Sequence, residues 1–180
     1  AEMSGNGIRC LAQALVDAGW AAAGRFAILT DAGVRAVEVG EDRAGVRQVR
    51  VGMGTAKVMR LGDGEAEVDT GNPHLVRLVD DPAAVDLEAL GRARPDVNVE
   101  VVRVDGADHV TMRVHERGAG ITQACGTGSC AIVAATVAWG MTGPTVRVRN
   151  PGGDLLVALV GDDASLTGPS QRIAGIDVEV

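Results

Sequence analysis

Apolar and polar residues follow two periods along the chain, and each period predicts regular structure. Apolar residues at 8, 11, 12, 15 and 16 recur as in an amphipathic helix, which we expect to span Ile8 to about Ala18. A second helix is predicted from about Gly128 to Gly140, where nearly every face is apolar and the helix should therefore be buried. The segment 86–93 predicts a third, short helix.

Period-two alternation predicts short strands over most of the remaining chain. These strands are expected at 25–30, 34–39, 46–51, twice within 65–79, at 97–104 and 109–116, and in the closing segments TVRVRN, DLLVALV and RIAGIDVEV. The DGAD segment predicts a hairpin between 97–104 and 109–116. Gly71 and Pro73 are expected to prevent a regular ladder within 65–79.

Two loop-helix units share one sequence pattern. In AEMSGNGIRC at 1–10 and QACGTGSC at 123–130, glycines and a small polar residue follow Ser4 or Cys125 just before a predicted helix. Ser4 and Gly19 are fifteen positions apart, as are Cys125 and Gly140. This repeat predicts an α+β fold of two pseudo-symmetric lobes, each with strands around one helix, and a cleft between them.

Composition and charge restrict the possible functions. The chain has 180 residues, of which 46% are hydrophobic and 23% charged, as in globular proteins. The net charge of −7 and the absence of a basic face argue against a nucleic-acid partner. No apolar run approaches the ~18 residues of a membrane span, so no membrane partner is expected.

The three cysteines lack zinc-type spacing, and their odd number favours reduced thiols in a cytoplasmic setting. Cys10 and Cys130 fall inside the predicted helices, where packing in the core is their expected role. The chain has no initiator Met and begins in an apparent helix-capping loop, so we expect the natural N-terminus to lie upstream.

Glycine-rich turns at the starts of the two predicted helices are typical of anion-binding sites. Gly5, Gly7, Gly126 and Gly128 allow a ligand to approach backbone N–H groups that lack partners within the helix. Such a site binds an anion, and it would lower the pKa of a Cys125 thiol from about 8.5. Two such loops facing one cleft would place Ser4 and Cys125 on opposite faces of a carbon beside a bound carboxylate. A proton would then leave on one face and return on the other.

Each feature also has a simpler interpretation. Either loop alone is consistent with a glycine-rich cap around a small buried residue. His74 lies near Asn72 in a loop of the kind that often contributes to functional sites, and a surface or turn histidine is the equal alternative. Glu116 and Arg117 either reach the Cys125 loop or form a solvated turn. Asn98 faces away from the apolar side of its strand, towards a cleft or towards water.

Five segments, AEMSGNGIRC, DTGNPH, NVEVV, ERGAG and ACGTGSC, resemble in order the motifs of the diaminopimelate epimerase family. These pyridoxal-independent enzymes belong to the lysine and cell-wall route. The resemblance implies two pseudo-symmetric lobes, each a strand-rich barrel around a central helix, with the active site between them. It places the first lobe in 1–57 and 168–180, with its N-terminal part missing, and the second in 58–167.

The resemblance also implies roles for particular residues. Cys125 corresponds to one catalytic thiol of a two-base epimerase, and Ser4 stands where the other thiol would be. Backbone N–H groups that would hold the α-carboxylate surround Gly5, Asn6, Gly126 and Thr127. Positions that hold the far end of the substrate or lie beside the second base are Asn72, Asn98, Glu116 and Arg117. His74 matches a histidine near the first base.

The same resemblance implies an amino-acid substrate, no metal, no cofactor and a possible homodimer. The gravest departure from the family pattern is Ser4, because the pKa of an alcohol lies far above the ~8.5 of a thiol. An alcohol is therefore roughly 10 kcal/mol harder to ionise. A helix terminus supplies at most ~2 kcal/mol. Ser4 can act only if a neighbour such as His74 takes its proton or if it relays one.

Two alternatives therefore stay open. Ser/Cys pairs occur in the proline and hydroxyproline enzymes of the wider superfamily, so Ser4 also fits a related racemase, epimerase or dehydratase. The second alternative is a non-catalytic fragment that only binds its ligand. Ile121, where the family often has Glu, is a smaller departure.

Overall fold

The computed structural model describes residues 4–174. Its α-helices are α1 (Gly5–Asp17), α2 (Leu87–Ala93) and α3 (Gly126–Ala138), with a 3₁₀ helix at Pro82–Ala84. The strands are β1 (Gly24–Thr30), β2 (Gly33–Val39), β3 (Val46–Thr55), β4 (Lys57–Leu61), β5 (Glu65–Asp69), β6 (Pro73–Leu78), β7 (Asn98–Gly106), β8 (His109–Glu116), β9 (Gly120–Thr122), β10 (Thr145–Asn150), β11 (Gly153–Val160) and β12 (Asp163–Gln171).

The described strands form one hydrogen-bonded sheet. Its order is β1-β2-β3-β12-β11-β10-β8-β7-β6-β5-β4, and β9 pairs with β8 beside this path. Neighbours run antiparallel except for the parallel pairs β6–β7 and β8–β10. β12 joins the two halves of the sheet, because it pairs with β3 on one side and with β11 on the other.

The two long helices occupy different environments. Residues from Gly126 to Thr136 of α3 are buried, and the helix contacts β4–β7 and β10–β12. This central position explains why α3 is apolar on every face, and it confirms the predicted arrangement of strands around a buried helix. In contrast, α1 buries Ile8 and Ala12 against β2, β3 and β12 and exposes its opposite face.

Cys10 lies on that exposed face of α1, so the prediction that it packs in the core is wrong. The physical reason is helical geometry: Cys10 is about 200° around the helix from both Ile8 and Ala12. Cys130 is fully buried in α3, as predicted.

The structure confirms the internal repeat. Both α1 and α3 have 13 residues, and both begin after an extended N-cap residue, Ser4 (φ −113°, ψ 108°) or Cys125 (φ −125°, ψ 119°). Both are followed by a glycine in the left-handed region, Gly19 (φ 74°) or Gly140 (φ 71°). Equivalent turns therefore begin and end the two helices.

The hairpin around DGAD is confirmed, since β7 and β8 pair antiparallel across it. The expected interruption within 65–79 is smaller than predicted. Pro73 begins β6 and pairs with Asp69, and only residues 70–72 form the turn, where Gly71 takes a positive φ of 92°.

Three strands, β4, β9 and β12, are absent from the sequence-based prediction. β12 has one large apolar residue, Leu166, and otherwise buries small ones, because Arg9 and Leu155 occupy the space beside Gly168. Pro169 is tolerated because β11 pairs with β12 only as far as Thr167. The predicted strand RIAGIDVEV begins with residues 172–174, which are not in a strand, and its remainder lies outside the described residues.

Candidate functional site

The N-termini of α1 and α3 meet at two glycines. A Cβ on Gly5 would lie 3.2 Å from the Cα of Gly126, and a Cβ on Gly126 would lie 3.1 Å from the Cα of Gly5. The Asn6 side-chain amide donates a hydrogen bond across this junction to the Ala124 carbonyl (3.3 Å). Glycine is required on both sides because any side chain would push the two helix ends apart.

A pocket of about 230 Å³ lies at this junction. The two helix ends and the ends of neighbouring strands supply its lining, which consists of Ser4, Gly5, Asn6, Asn72, Asn98, Glu116, Arg117, Ala124, Cys125, Gly126 and Thr127. The structure thus brings together around one pocket every predicted site residue except His74, which contacts Asn72. Their roles in binding and catalysis stay predictions.

Ser4 and Cys125 hold equivalent positions as N-caps. The Ser4 hydroxyl accepts a hydrogen bond from the Gly7 N–H (3.1 Å), and the Cys125 sulfur accepts one from the Gly128 N–H (3.4 Å). The Cys125 sulfur also lies 3.4 Å from the Thr127 hydroxyl. Both side chains therefore cap a helix and also line the pocket. The helix-capping interpretation and the proton-exchange interpretation are thus compatible for Ser4 and Cys125.

The predicted lowering of the Cys125 pKa is wrong in this structure. Burial raises the pKa of the thiol, and the negative charges of Glu100 and Glu116 raise it further. The hydrogen bonds with Thr127 and from Gly128 lower it by less. Thiolate stabilisation by the helix terminus is thus outweighed, and this environment favours the protonated thiol over the thiolate.

A buried pair, His74 and Glu100, lies next to the pocket. The strands β6 and β7 run parallel and bring His74 Nδ1 to 2.6 Å from Glu100 Oε1. His74 Nε2 lies 3.1 Å from Asn72 Oδ1, which also accepts a hydrogen bond from the Thr70 hydroxyl (2.9 Å). A chain of contacts therefore runs from the pocket wall at Asn72 to a carboxylate in the core.

Sequence reasoning missed Glu100. Its signal was present in VNVEVV, where Asn98 and Glu100 occupy the same face of a strand otherwise built from valine. A glutamate at such a position is either solvated or paired inside the protein, and it is fully buried here. Its parallel neighbour His74 is 26 residues away and could not be identified from local patterning.

Asn98 faces the cleft, which resolves the alternative left by the sequence. Its amide donates to the Pro73 carbonyl (3.2 Å), and its oxygen accepts from the Arg117 N–H (2.9 Å). Glu116 accepts a hydrogen bond from the Thr122 hydroxyl. These bonds fix the end of β8 against the start of β6. Both alternatives left by the sequence apply in part, since Glu116 and Arg117 line the pocket of the Cys125 loop and Arg117 lies in an exposed turn.

Between residues 4 and 174, no group of three or more His, Cys, Asp or Glu is arranged to hold a metal ion. Within the same residues, no helix has the length and apolar character needed to cross a membrane. The expectation that neither metal nor cofactor is used therefore still depends on the resemblance described above.

Known proteins similar to the chain share this architecture. A solved hydroxyproline epimerase from Agrobacterium vitis, with bound trans-4-OH-L-proline, aligns with a TM-score of 0.71 over 95% of this chain and 66% of its own chain. The two sequences are 18% identical, so this similarity shows the fold alone.

Sequence similarity is closer to one family. The diaminopimelate epimerase of Mycolicibacterium paratuberculosis is 40% identical in a gapped alignment of 198 positions that covers 97% of this chain and 67% of that protein. The diaminopimelate epimerase of Streptomyces coelicolor is 41% identical in an alignment of 199 positions, which covers the same 97% of this chain and 67% of that protein. The family model described as diaminopimelate epimerase matches residues 67–173. The chain belongs to the diaminopimelate epimerase family.

Proposed function

We propose that the chain epimerises L,L-diaminopimelate to meso-diaminopimelate by moving a proton from one face of the α-carbon to the other. The observation that carries the proposal is the convergence of two equivalent helix N-termini, capped by Ser4 and Cys125, on one pocket. Family membership supports the choice of substrate, since the relatives with this name are about 40% identical.

The helix ends would hold the substrate's α-carboxylate. The first N–H groups of each helix, around Gly5, Asn6, Gly126 and Thr127, have no partner within the helix and carry partial positive charge. Loss of the α-proton leaves an electron pair on the α-carbon, and part of its negative charge is delocalised onto the carboxylate oxygens. Donors fixed before the reaction stabilise that charge without reorganising, which lowers the barrier to proton removal.

Cys125 would exchange protons on one face of the α-carbon. As a thiol it can donate a proton to the carbanion, and the thiolate that remains is a strong base because burial and two carboxylates raise its pKa. A strong base suits the reaction, since an amino-acid α-proton is a weak acid.

Ser4 would occupy the other face. Both ring nitrogens of His74 already have neighbours, Glu100 and Asn72. Direct proton transfer from Ser4 to His74 therefore requires one of these contacts to break. We infer that Ser4 limits the rate.

The opposite wall of the pocket fits a substrate with a second polar end. Asn72 and Asn98 supply amides, Glu116 a carboxylate and Arg117 a guanidinium. Diaminopimelate carries an ammonium and a carboxylate at its far end, and these groups are complementary to such a wall. The second candidate function is racemisation of another amino acid, which the Ser4–Cys125 pair favours and this charged wall disfavours.

We further infer a place in lysine and peptidoglycan-precursor synthesis, in the cytoplasm, without nucleic-acid or membrane partners. Three free cysteines and the acidic net charge support this setting. Association into a homodimer is supported by β1, which lies at one end of the strand order, and by the exposed Leu29 of β1 and Val34 of β2.

Conversion of L,L- to meso-diaminopimelate by three proteins tests the proposal. We expect Cys125→Ala to abolish turnover and Ser4→Cys to raise it above that of the parent chain. The reason is that the first change removes the acid-base group of one face, and the second supplies a better one on the other. Equal turnover of the parent and Cys125→Ala would sink the proposal.

A further inference from the structure

Glu100 is a fully buried carboxylate on β7 that does not line the pocket. One of its oxygens contacts His74, and the other has no hydrogen-bond partner among the described residues. A buried charge with an unsatisfied oxygen destabilises a fold relative to an apolar residue of similar size. Packing therefore does not account for a glutamate here.

Glu100 lies against the turn that holds Cys125. A Cβ on Gly128 would be 2.5 Å from Glu100 Oε1 and 3.3 Å from the Cys125 Cβ. The Gly128 N–H donates to the Cys125 sulfur. Glu100, Gly128 and Cys125 are therefore neighbours at the start of α3, and only a residue without a side chain fits between the Glu100 carboxylate and the Cys125 Cβ.

We propose that Glu100 is a positioning residue that keeps Cys125 protonated until substrate binds, so that Cys125 enters the reaction as a proton donor. In that step the S–H bond breaks as the new C–H bond forms at the α-carbon, and the electron pair of the S–H bond stays on sulfur. The thiolate then faces the Glu100 carboxylate across Gly128, and this repulsion makes it a strong base for the next proton. The inference depends on the proposed function only in assigning Cys125 to the reaction.

Other charged groups near the thiol differ from Glu100 in solvent exposure or in distance. Glu116, from β8, lines the open pocket and is only partly buried, and Arg117 beside it is exposed, so solvent screens both charges. Arg9, from α1, is buried but bonds to the Gly5 carbonyl and the Asn6 side chain. His74, from β6, contacts the far side of the Glu100 carboxylate. Glu100 is the charge that water screens least.

The test is the pH dependence of alkylation of Cys125 by iodoacetamide, followed by mass spectrometry of its peptide. The exposed Cys10 is first replaced by Ser in every protein, so that its alkylation does not interfere. Glu100→Gln keeps the shape of the side chain and removes its charge. The matched control is Glu65→Gln, which removes a partly exposed carboxylate that pairs with Arg77.

We expect the alkylation profile of Glu100→Gln to move to lower pH, with Cys125 reacting about tenfold faster at pH 7.5 than in the parent. Glu65→Gln should follow the parent. An unchanged or slower reaction in folded Glu100→Gln would overturn the proposal, because a merely structural glutamate would not change the pH profile.

A second variant covers failure of Glu100→Gln to fold, as judged by circular dichroism. Glu100→Asp draws the carboxylate away from Gly128 while retaining its charge. We expect Cys125 alkylation to be faster than in the parent, by less than in Glu100→Gln. A parent-like pH profile would contradict the proposal. Alkylation requires no substrate. A chain inactive towards diaminopimelate but with the expected profile would refute the proposed function and leave the role of Glu100 standing.

Discussion

Gly5 and Gly126 bring the starts of two helices into contact, each so close that a methyl group on one would lie within 3.2 Å of the other's Cα. The residues just before them, Ser4 and Cys125, cap the two helices and line the same pocket. One anion at this junction can therefore meet the N–H groups of both helices, with a hydroxyl and a thiol beside it.

Gly126→Ala should separate the helix ends. The added methyl would approach Gly5 to 3.1 Å and Leu166 to 3.5 Å, and we expect a loss of about 1–3 kcal/mol in unfolding free energy. Turnover should fall by more than the lost stability alone would cause, because the N–H groups of the two helices would no longer share one carboxylate. Urea denaturation and the conversion assay measure both effects.

The control for that variant is Gly106→Ala, where a Cβ would meet nothing within 4 Å. This variant should retain the stability and turnover of the parent. Parent-like turnover in Gly126→Ala would mean that the close approach is not needed for catalysis.

The three thiols should react in a fixed order. Cys10 is exposed and should be alkylated first, whereas burial raises the pKa of Cys130 to about 12 and should protect it until the protein unfolds. Cys125 should react slowly at pH 7 and faster as pH rises, since a raised pKa leaves little thiolate at neutral pH. Mass spectrometry of alkylated peptides at several pH values measures the order.

Meso-diaminopimelate should protect Cys125 selectively in the same experiment, with Cys10 as the internal control. If Cys125 reacts as fast as Cys10 at pH 7, its environment does not suppress the thiolate. That outcome would contradict the effect attributed here to burial and to the two carboxylates.

Gly91→Ala should disturb the pocket although Gly91 does not line it. A Cβ on Gly91 would overlap the His115 ring, which lies on β8 directly before Glu116. We expect a loss of roughly 2–3 kcal/mol in unfolding free energy, together with reduced turnover. Thermal and urea denaturation report the first effect, and the conversion assay reports the second.

Ala89→Gly is the matched variant, since it changes an exposed position of the same helix, α2, and should lose only about 1 kcal/mol of helix propensity. Equal destabilisation by Gly91→Ala and Ala89→Gly would show that the His115 ring moves to accommodate the added methyl, contrary to the expected overlap.

Local patterns were sufficient to predict much of the fold. The caps at Ser4 and Cys125 and the glycines that follow each helix depend on residues within a few positions of one another, so sequence alone revealed the repeat. β12 could not be predicted, because its small residues become a strand only where β3 and β11 provide partners. Cys10 is a different case, since the helical period of α1 already placed it on the outer face.

The site was partly predictable for the same reason. Asn72, Glu116 and Arg117 stand in or beside glycine-containing turns, where local sequence is informative. The pairing of Glu100 with His74 depends on parallel strands that are distant in sequence. The raised pKa of Cys125 depends on burial and on the nearby Glu100 and Glu116, which are also distant or unpaired in the local pattern. Contacts between residues that are distant in sequence are the reason that Glu100 was missed and that the direction of the Cys125 pKa shift was predicted wrongly.

The central claim is that protons reach the α-carbon from two faces, and deuterium uptake in heavy water tests it most directly. L,L- and meso-diaminopimelate are each incubated with the chain, and the α-deuterium and the isomer ratio are followed by NMR and mass spectrometry. We predict deuterium in both isomers together with their interconversion, at a lower rate than in Ser4→Cys. Exchange confined to one isomer without conversion, or no exchange by the folded protein, would contradict the two-face account.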